Sequence, residues 1–155
     1  MEQPPTKPSI ARALWWPLAA VVALALAASV LLSGVGTSTP SADLATGERL
    51  YATHCAACHG TDLAGQPDWR RRKADGKLPA PPHDDSGHTW HHDDALLFDI
   101  VKHGLVPPRA PADYPTDMPA YAGVLSDAEI RAVLAFIASH WSDEVREMRR
   151  QRLGG

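Results

Sequence analysis

Apolar residues recur at helical spacing in three separate stretches of the chain. From Ser126 onward, Ile130, Val133, Leu134, Ile137 and Trp141 form a stripe at steps of three and four, and Ser126-Asp-Ala-Glu129 ahead of it is a capping box. Asp93 to His103 sets Leu96, Leu97, Ile100 and Val101 on one side, with Gly104 placed to end the helix as a C-cap. Asp43 to His54 is a third candidate, in which Leu44, Gly47 and Tyr51 repeat with Leu50 beside them. A fourth stretch, Ala13 to Ser33, is apolar all round and uncharged. About 21 residues at 1.5 Å rise match a hydrocarbon core of roughly 30 Å, so the pattern predicts a membrane-spanning helix.

The flanks of that segment give it a direction. Lys7 and Arg12 precede it with only Glu2 opposing, which puts residues 1–12 in the cytoplasm and everything after Gly34 on the far side; Trp15 and Trp16 sit at the entry end, at headgroup level. Ala23, Ala25 and Ala27 offer the A-x-A spacing of a cleaved secretory signal, but they lie inside the apolar run rather than after it, so an uncleaved signal anchor over 13–33 is the expectation. Residues 34–42, GVGTSTPSA, have the composition of a flexible linker, and a folded domain is expected over 43–142.

Two stretches lack a clear period. Gly60 to His92 is rich in Pro, Gly, Asp and His, and a segment of that length without regular structure implies something other than protein to organise it. Residues 143–155 form a charged extension: acidic residues come first and arginines last, matching a helix dipole if the helix continues, and a solvated tail if it frays.

Composition narrows the fold class. Tyr, Phe, Ile and Val are sparse while Pro and Gly are frequent, which leaves little material for a sheet and predicts an all-α domain with long loops. The net charge of −3 is spread along the 155 residues and gives no footprint for nucleic acid.

The two cysteines, Cys55 and Cys58, are too few for a disulfide framework or a four-cysteine metal site. They belong to Cys55-Ala-Ala-Cys58-His59, the C-x-x-C-H pattern of covalent haem attachment. Two thiols three residues apart on a helical turn face the same way and can form thioethers with the two vinyl groups of one porphyrin edge. His59 then falls beneath the iron as the proximal ligand. A thioredoxin-like redox pair would need a βαβ context that the chain lacks, and a zinc site would have to draw its further ligands from histidines.

With these residues the chain resembles the class I c-type cytochromes: GERLYATHCAACHG at 47–60, KHG at 102–104, DMPAY at 117–121 and LSDAEIRAVLAFI at 125–137 carry the resemblance. It implies a cytochrome c-like fold around one covalent haem c, in which the first and last helices cross, with Gly47 and Tyr51 meeting the Ala132 and Phe136 region. It also implies a distal methionine ligand followed by proline, the position that Met118-Pro119 occupies. Met1 begins the chain, and Met148 lies in the charged extension without a following proline. His83, His88, His91, His92 and His103 are the other available ligands, and the resemblance favours Met118. Leu50, Leu97, Ile100 and Val101 are expected to bury the macrocycle, and the carbonyl of Pro67 or Pro79 to orient the imidazole of His59.

The implied function is one-electron transfer in an extracytoplasmic respiratory chain, without catalysis at the iron because both axial positions are filled. The haem domain is expected in the periplasm, tethered by a single pass through the inner membrane, with redox partners such as a quinol-linked donor and a terminal oxidase. Trp69-Arg-Arg-Arg-Lys73 and the histidine-rich run at 78–94 exceed a minimal cytochrome. The arginines can pair with haem propionates or a partner's acidic patch. The histidines and neighbouring aspartates suit copper or zinc, which frames the alternatives: a haem-based redox or gas sensor, or a copper-handling module.

Overall fold

The computed structural model describes residues 40–154. The expected cytoplasmic N-terminus, signal anchor and most of the linker lie outside them, and among the described residues no helix is long and apolar enough to cross a membrane.

The described residues form helices α1 (Pro40–His54), α2 (Ala56–His59), α3 (Asp94–His103), α4 (Asp127–Ser139) and α5 (Asp143–Leu153), with a single 3-10 turn at Thr89–His91. They contain no strand; Ala122 and Leu125 form one isolated bridge. Helix α1 starts at Pro40, three residues before the expected Asp43, so the last part of the linker stretch is helical.

Each long helix is bounded by local chemistry. The Ser126 side chain accepts from the Glu129 amide and Glu129 answers on the Ser126 amide, completing the capping box of α4. Asp93 caps α3, and the amide of Gly104 donates to the Ile100 carbonyl at its end. After Ser139 the chain does not continue as one helix. His140 closes α4, and Ser142 caps a separate α5 whose first turn carries Asp143 and Glu144 and whose last carries Arg150 and Arg152.

Helix α1 packs against α4, as the resemblance implies, and the reason lies at Gly47. A β-carbon built there would overlap the Ala132 carbonyl and stand 2.9 Å from Phe136 Cβ, so the backbones approach as only glycine permits. Beside it the rings of Tyr51 and Phe136 meet at 5.3 Å. Tyr51, Val133, Ile137, Trp141 and Val145 build the core with Leu63 from the long loop. At roughly 1.5–3 kcal/mol for each large apolar side chain buried, these residues are the main cohesive term. Leu50 packs against this core, and α3 packs on the other part of α4.

Helix α5 folds back on the histidine-rich loop. Val145 is buried, and the Arg149 guanidinium donates to the carbonyls of Trp90 and His92 and to Asp94, at 2.9 Å for Trp90 and 2.6 Å for Asp94. The charged extension is therefore part of the domain.

Candidate functional site

The end of α1 leads directly into the cysteine pair. The Cys55 amide still donates to Tyr51, and α2 then makes one turn in which the His59 amide donates to Cys55 at 2.9 Å. Cys55, Cys58 and His59 consequently line the same cavity, of about 440 Å³. Burial, then the neighbouring Cys58, pushes the Cys55 thiol up to about 11.

His59 is buried, and its Nδ1 lies 2.8 Å from the Pro81 carbonyl. A carbonyl only accepts, so Nδ1 carries the proton and Nε2 keeps its lone pair. Burial lowers the ring's pKa, and the bond to Pro81 partly opposes that, leaving a neutral imidazole. Pro81 thus takes the role expected of Pro67 or Pro79. The loop explains the choice: the Gln66 amide donates to Ala80 at 2.9 Å and the His83 amide to Leu63 at 2.7 Å, and this pairing carries Pro81 onto the imidazole. Gly65 permits it with φ +69°, at a place where a β-carbon would stand 2.6 Å from the Pro81 carbonyl carbon.

His83 stacks on His59, with ring centroids 4.0 Å apart and planes 19° from parallel. Its Nδ1 is 2.9 Å from the Thr89 hydroxyl, and its carbonyl accepts from Trp141 Nε1. Burial, then the nearby His59 and His88, hold its pKa well below the ordinary imidazole value. His83 is committed to packing rather than to a separate metal site. Among the described residues no three His, Cys, Asp or Glu side chains gather as metal ligands, and the copper-handling reading is not favoured.

Met118 also lines the cavity. Its amide donates to the Thr116 hydroxyl at 3.0 Å, and Tyr121 just beyond donates through its hydroxyl to the His54 carbonyl at 2.6 Å, the residue before Cys55. The Tyr121 and Ala122 amides donate to Val101 and Lys102, fastening the segment to α3. Of the other methionines, Met148 is exposed on α5, and Met1 lies outside the described residues.

The apolar walls come from Leu97, Ile100 and Val101, as expected, and from Leu105, Val133, Leu134 and Ile137. Leu50 does not line the cavity. The stripe of α4 had marked its three residues as apolar without telling core from cavity.

One corner is polar. Trp69, His88 and His92 line it, with the His88 ring stacked on Trp69 at 5.1 Å. His88 Nδ1 is buried without a hydrogen-bond partner, which costs about 1–3 kcal/mol until one reaches it. Two thiols one turn apart, a neutral imidazole, a thioether, aliphatic walls and an unpaired buried nitrogen together suit an iron porphyrin with carboxylate side chains.

Residues 42–137 match the family model described as cytochrome C oxidase, cbb3-type, subunit III. The chain is 30% identical over 108 residues to the cbb3-type cytochrome c oxidase subunit FixP of Bradyrhizobium sp. (strain ORS 278), covering 70% of this chain and 31% of that one, so it spans about a third of that relative's length. It is 31% identical over 120 residues to cytochrome c6 of Picosynechococcus sp. (strain ATCC 27264 / PCC 7002 / PR-6), covering 76% of this chain and 91% of that one. To the chloroplastic cytochrome c6 of Chlamydomonas reinhardtii it is 30% identical over 121 residues, 78% and 70% of the two chains. No solved structure matches the chain. A helical domain folded around a C-x-x-C-H cavity, matched by this family model and by these relatives, belongs to the class I c-type cytochromes and carries a covalently bound haem c.

Proposed function

We propose that this cytochrome is a membrane-tethered one-electron carrier of an extracytoplasmic respiratory chain, with thioethers at Cys55 and Cys58 and with His59 and Met118 as axial ligands. The observation that carries the reading is the shared cavity, into which the cysteine pair and His59 project from one segment and Met118 from a distant one.

Bound there, the haem supplies a reversible one-electron couple at its iron. The residues do the rest. His59 offers Nε2 because Pro81 holds the proton on the other nitrogen. Met118 offers a soft neutral sulfur, which favours the reduced iron relative to a second imidazole and raises the potential. Leu97, Ile100, Val101 and Leu134 keep the surroundings apolar. With His59 and Met118 both holding the iron, no position would remain open for a substrate, which argues for a carrier over an enzyme or a gas sensor.

The uncharged run at 13–33 is the anchor in this reading, and it places residues 43–142 in the periplasm. Tethering concentrates the haem domain near partners in the same membrane. A relative named as an oxidase subunit supports a terminal oxidase as acceptor, with a quinol-linked donor upstream.

The test is to mature the chain in a host that attaches haem c, then follow haem through denaturing electrophoresis and measure the potential. Haem should remain on the chain, and Met118→Ala should lose the low-spin methionine spectrum, bind carbon monoxide readily and show a lower potential. A Met118→Ala spectrum identical to that of the unaltered protein would sink the axial assignment. Deleting 13–33 downstream of a cleavable signal should release the cytochrome from membranes into the periplasmic fraction; retention would refute the anchor.

A further inference from the structure

The basic run after Trp69 lies apart in sequence from the C-x-x-C-H segment, and it packs against the segment that leads to Met118. Residues 72–77 form a closed turn: the Gly76 amide donates to the Lys73 carbonyl at 2.9 Å, the Lys73 amide to Lys77 at 2.8 Å, and Arg72 Nη1 to Gly76 at 2.6 Å. Three contacts join this turn to residues 114–117. The Arg72 guanidinium lies 5.3 Å from the centre of the Tyr114 ring. The Gly76 backbone sits beside Pro115, where a β-carbon would lie 3.7 Å from Cγ. The ammonium groups of Lys73 and Lys77 converge on one carboxylate, Asp117, with Lys73 Nζ 3.2 Å from Oδ2 and Lys77 Nζ bonded to Oδ1. Asp117 immediately precedes Met118, and both line the haem cavity with Lys73.

We propose that residues 72–77 are a latch that holds the Met118 segment in place, so that Lys73 and Lys77, acting through Asp117, set how readily the methionine leaves the iron. The inference rests on Met118 being the distal ligand. Departure of the thioether requires its segment to move outward, and that motion must break the bonds to the turn. Two cations sharing one carboxylate resist it better than one, because loss of either leaves the other in place. Since all three groups are partly exposed, the latch is weakened by salt. His59 stays outside its reach, held by Pro81. The turn acts on one axial ligand and spares the other, which makes Lys73 and Lys77 positioning residues for Met118 alone.

The test uses the matured full-length ferric cytochrome in mild detergent and the rate at which added imidazole displaces the methionine, read from loss of the methionine-to-iron charge-transfer band. At low salt the Lys73→Gln/Lys77→Gln protein should exchange about three- to tenfold faster than the unaltered one, the range set by two exposed ion pairs. Molar salt should bring the unaltered protein close to the variant's rate, and Lys73→Arg/Lys77→Arg should keep the slow rate. Equal rates in the glutamine variant and the unaltered protein, both with the band intact, would overturn the latch while leaving Met118 as ligand. Absence of the band from the unaltered protein would overturn the Met118 assignment and the latch with it.

Discussion

The imidazole of His59 donates a hydrogen bond through Nδ1–H to the carbonyl of Pro81 at 2.8 Å, while the ring of His83 stacks against it. The ring is therefore fixed in both tautomer and plane by residues of the long loop. In the matured protein the Nδ1 proton should exchange with solvent slowly, as followed by NMR. Pro81→Gly, which frees the backbone that presents the carbonyl, should speed that exchange at least about tenfold, the size of effect that a ligand's hydrogen-bonding partner commonly has. An unchanged exchange rate would show that the carbonyl does not govern the ring.

Gly47 sets how closely α1 and α4 approach. Gly47→Val places branched carbons where the Ala132 carbonyl already stands, and the helices must separate. The expected loss is more than about 3 kcal/mol or a failure to accumulate haem-loaded protein, beyond the usual range for overpacking because backbone rather than a side chain is in the way. Thermal denaturation and haem yield check it, with exposed Glu48→Ala on the same helix as the control that should change neither.

Burial first of all depresses the pKa values of His83 and His88, so the unfolded chain binds protons that the folded one refuses. Stability from these groups is complete above the ordinary imidazole value of about 6.5 and is lost as pH falls from there towards the depressed folded values. The unfolding midpoint should thus be lower at about pH 5.5 than at about pH 7.5. His88→Phe, which keeps a ring against Trp69, should reduce that difference. A midpoint rising on acidification would contradict the burial of these rings in neutral form.

Arg149 joins α5 to the loop through two carbonyls and Asp94, with its side chain largely enclosed. Arg149→Ala should cost about 2 kcal/mol, the scale for charge-assisted hydrogen bonds, whereas Arg150→Ala, exposed and paired only with Glu147 on its own helix, should change stability by less than about 0.5 kcal/mol. Lysine at 149 should restore little, because one ammonium cannot reproduce the planar set of donors. Denaturant unfolding of the haem-loaded protein separates the three.

What the sequence discloses about this molecule is what local chemistry controls. The capping box at Ser126, the C-cap at Gly104 and the stripe through Val133 and Ile137 act within one or two turns, and each is found where the pattern puts it. The cysteine pair and His59 form a local motif too. The expectation of Pro67 or Pro79 passes over Pro81, because the choice depends on backbone pairing between Leu63–Gln66 and Ala80–His83 that local sequence does not reveal. Leu50 and Leu134 are both apolar helix residues, and only the packing of α1 on α4 decides that one meets the core and the other the cavity. The break at His140 was hidden for a different reason: Ser142 reads as a cap only once the preceding helix is known to stop. The basic run is read from the sequence as a partner for haem propionates or for an acidic patch, and its contacts with Tyr114 and Asp117 are missed because they come from residues some forty positions away.

The packing of α1 on α4 also governs access to the cysteine pair. Val133, Leu134 and Ile137, which complete the wall around the cysteine pair, sit on a helix about seventy residues further along the chain than Cys55 and Cys58. Without that helix in place the two sulfurs would stand in an open trough. Once it docks, Gly47 lets it lie so close that the trough becomes an enclosure. The same glycine that tightens the finished domain thereby shuts the side from which a porphyrin would otherwise reach the two sulfurs.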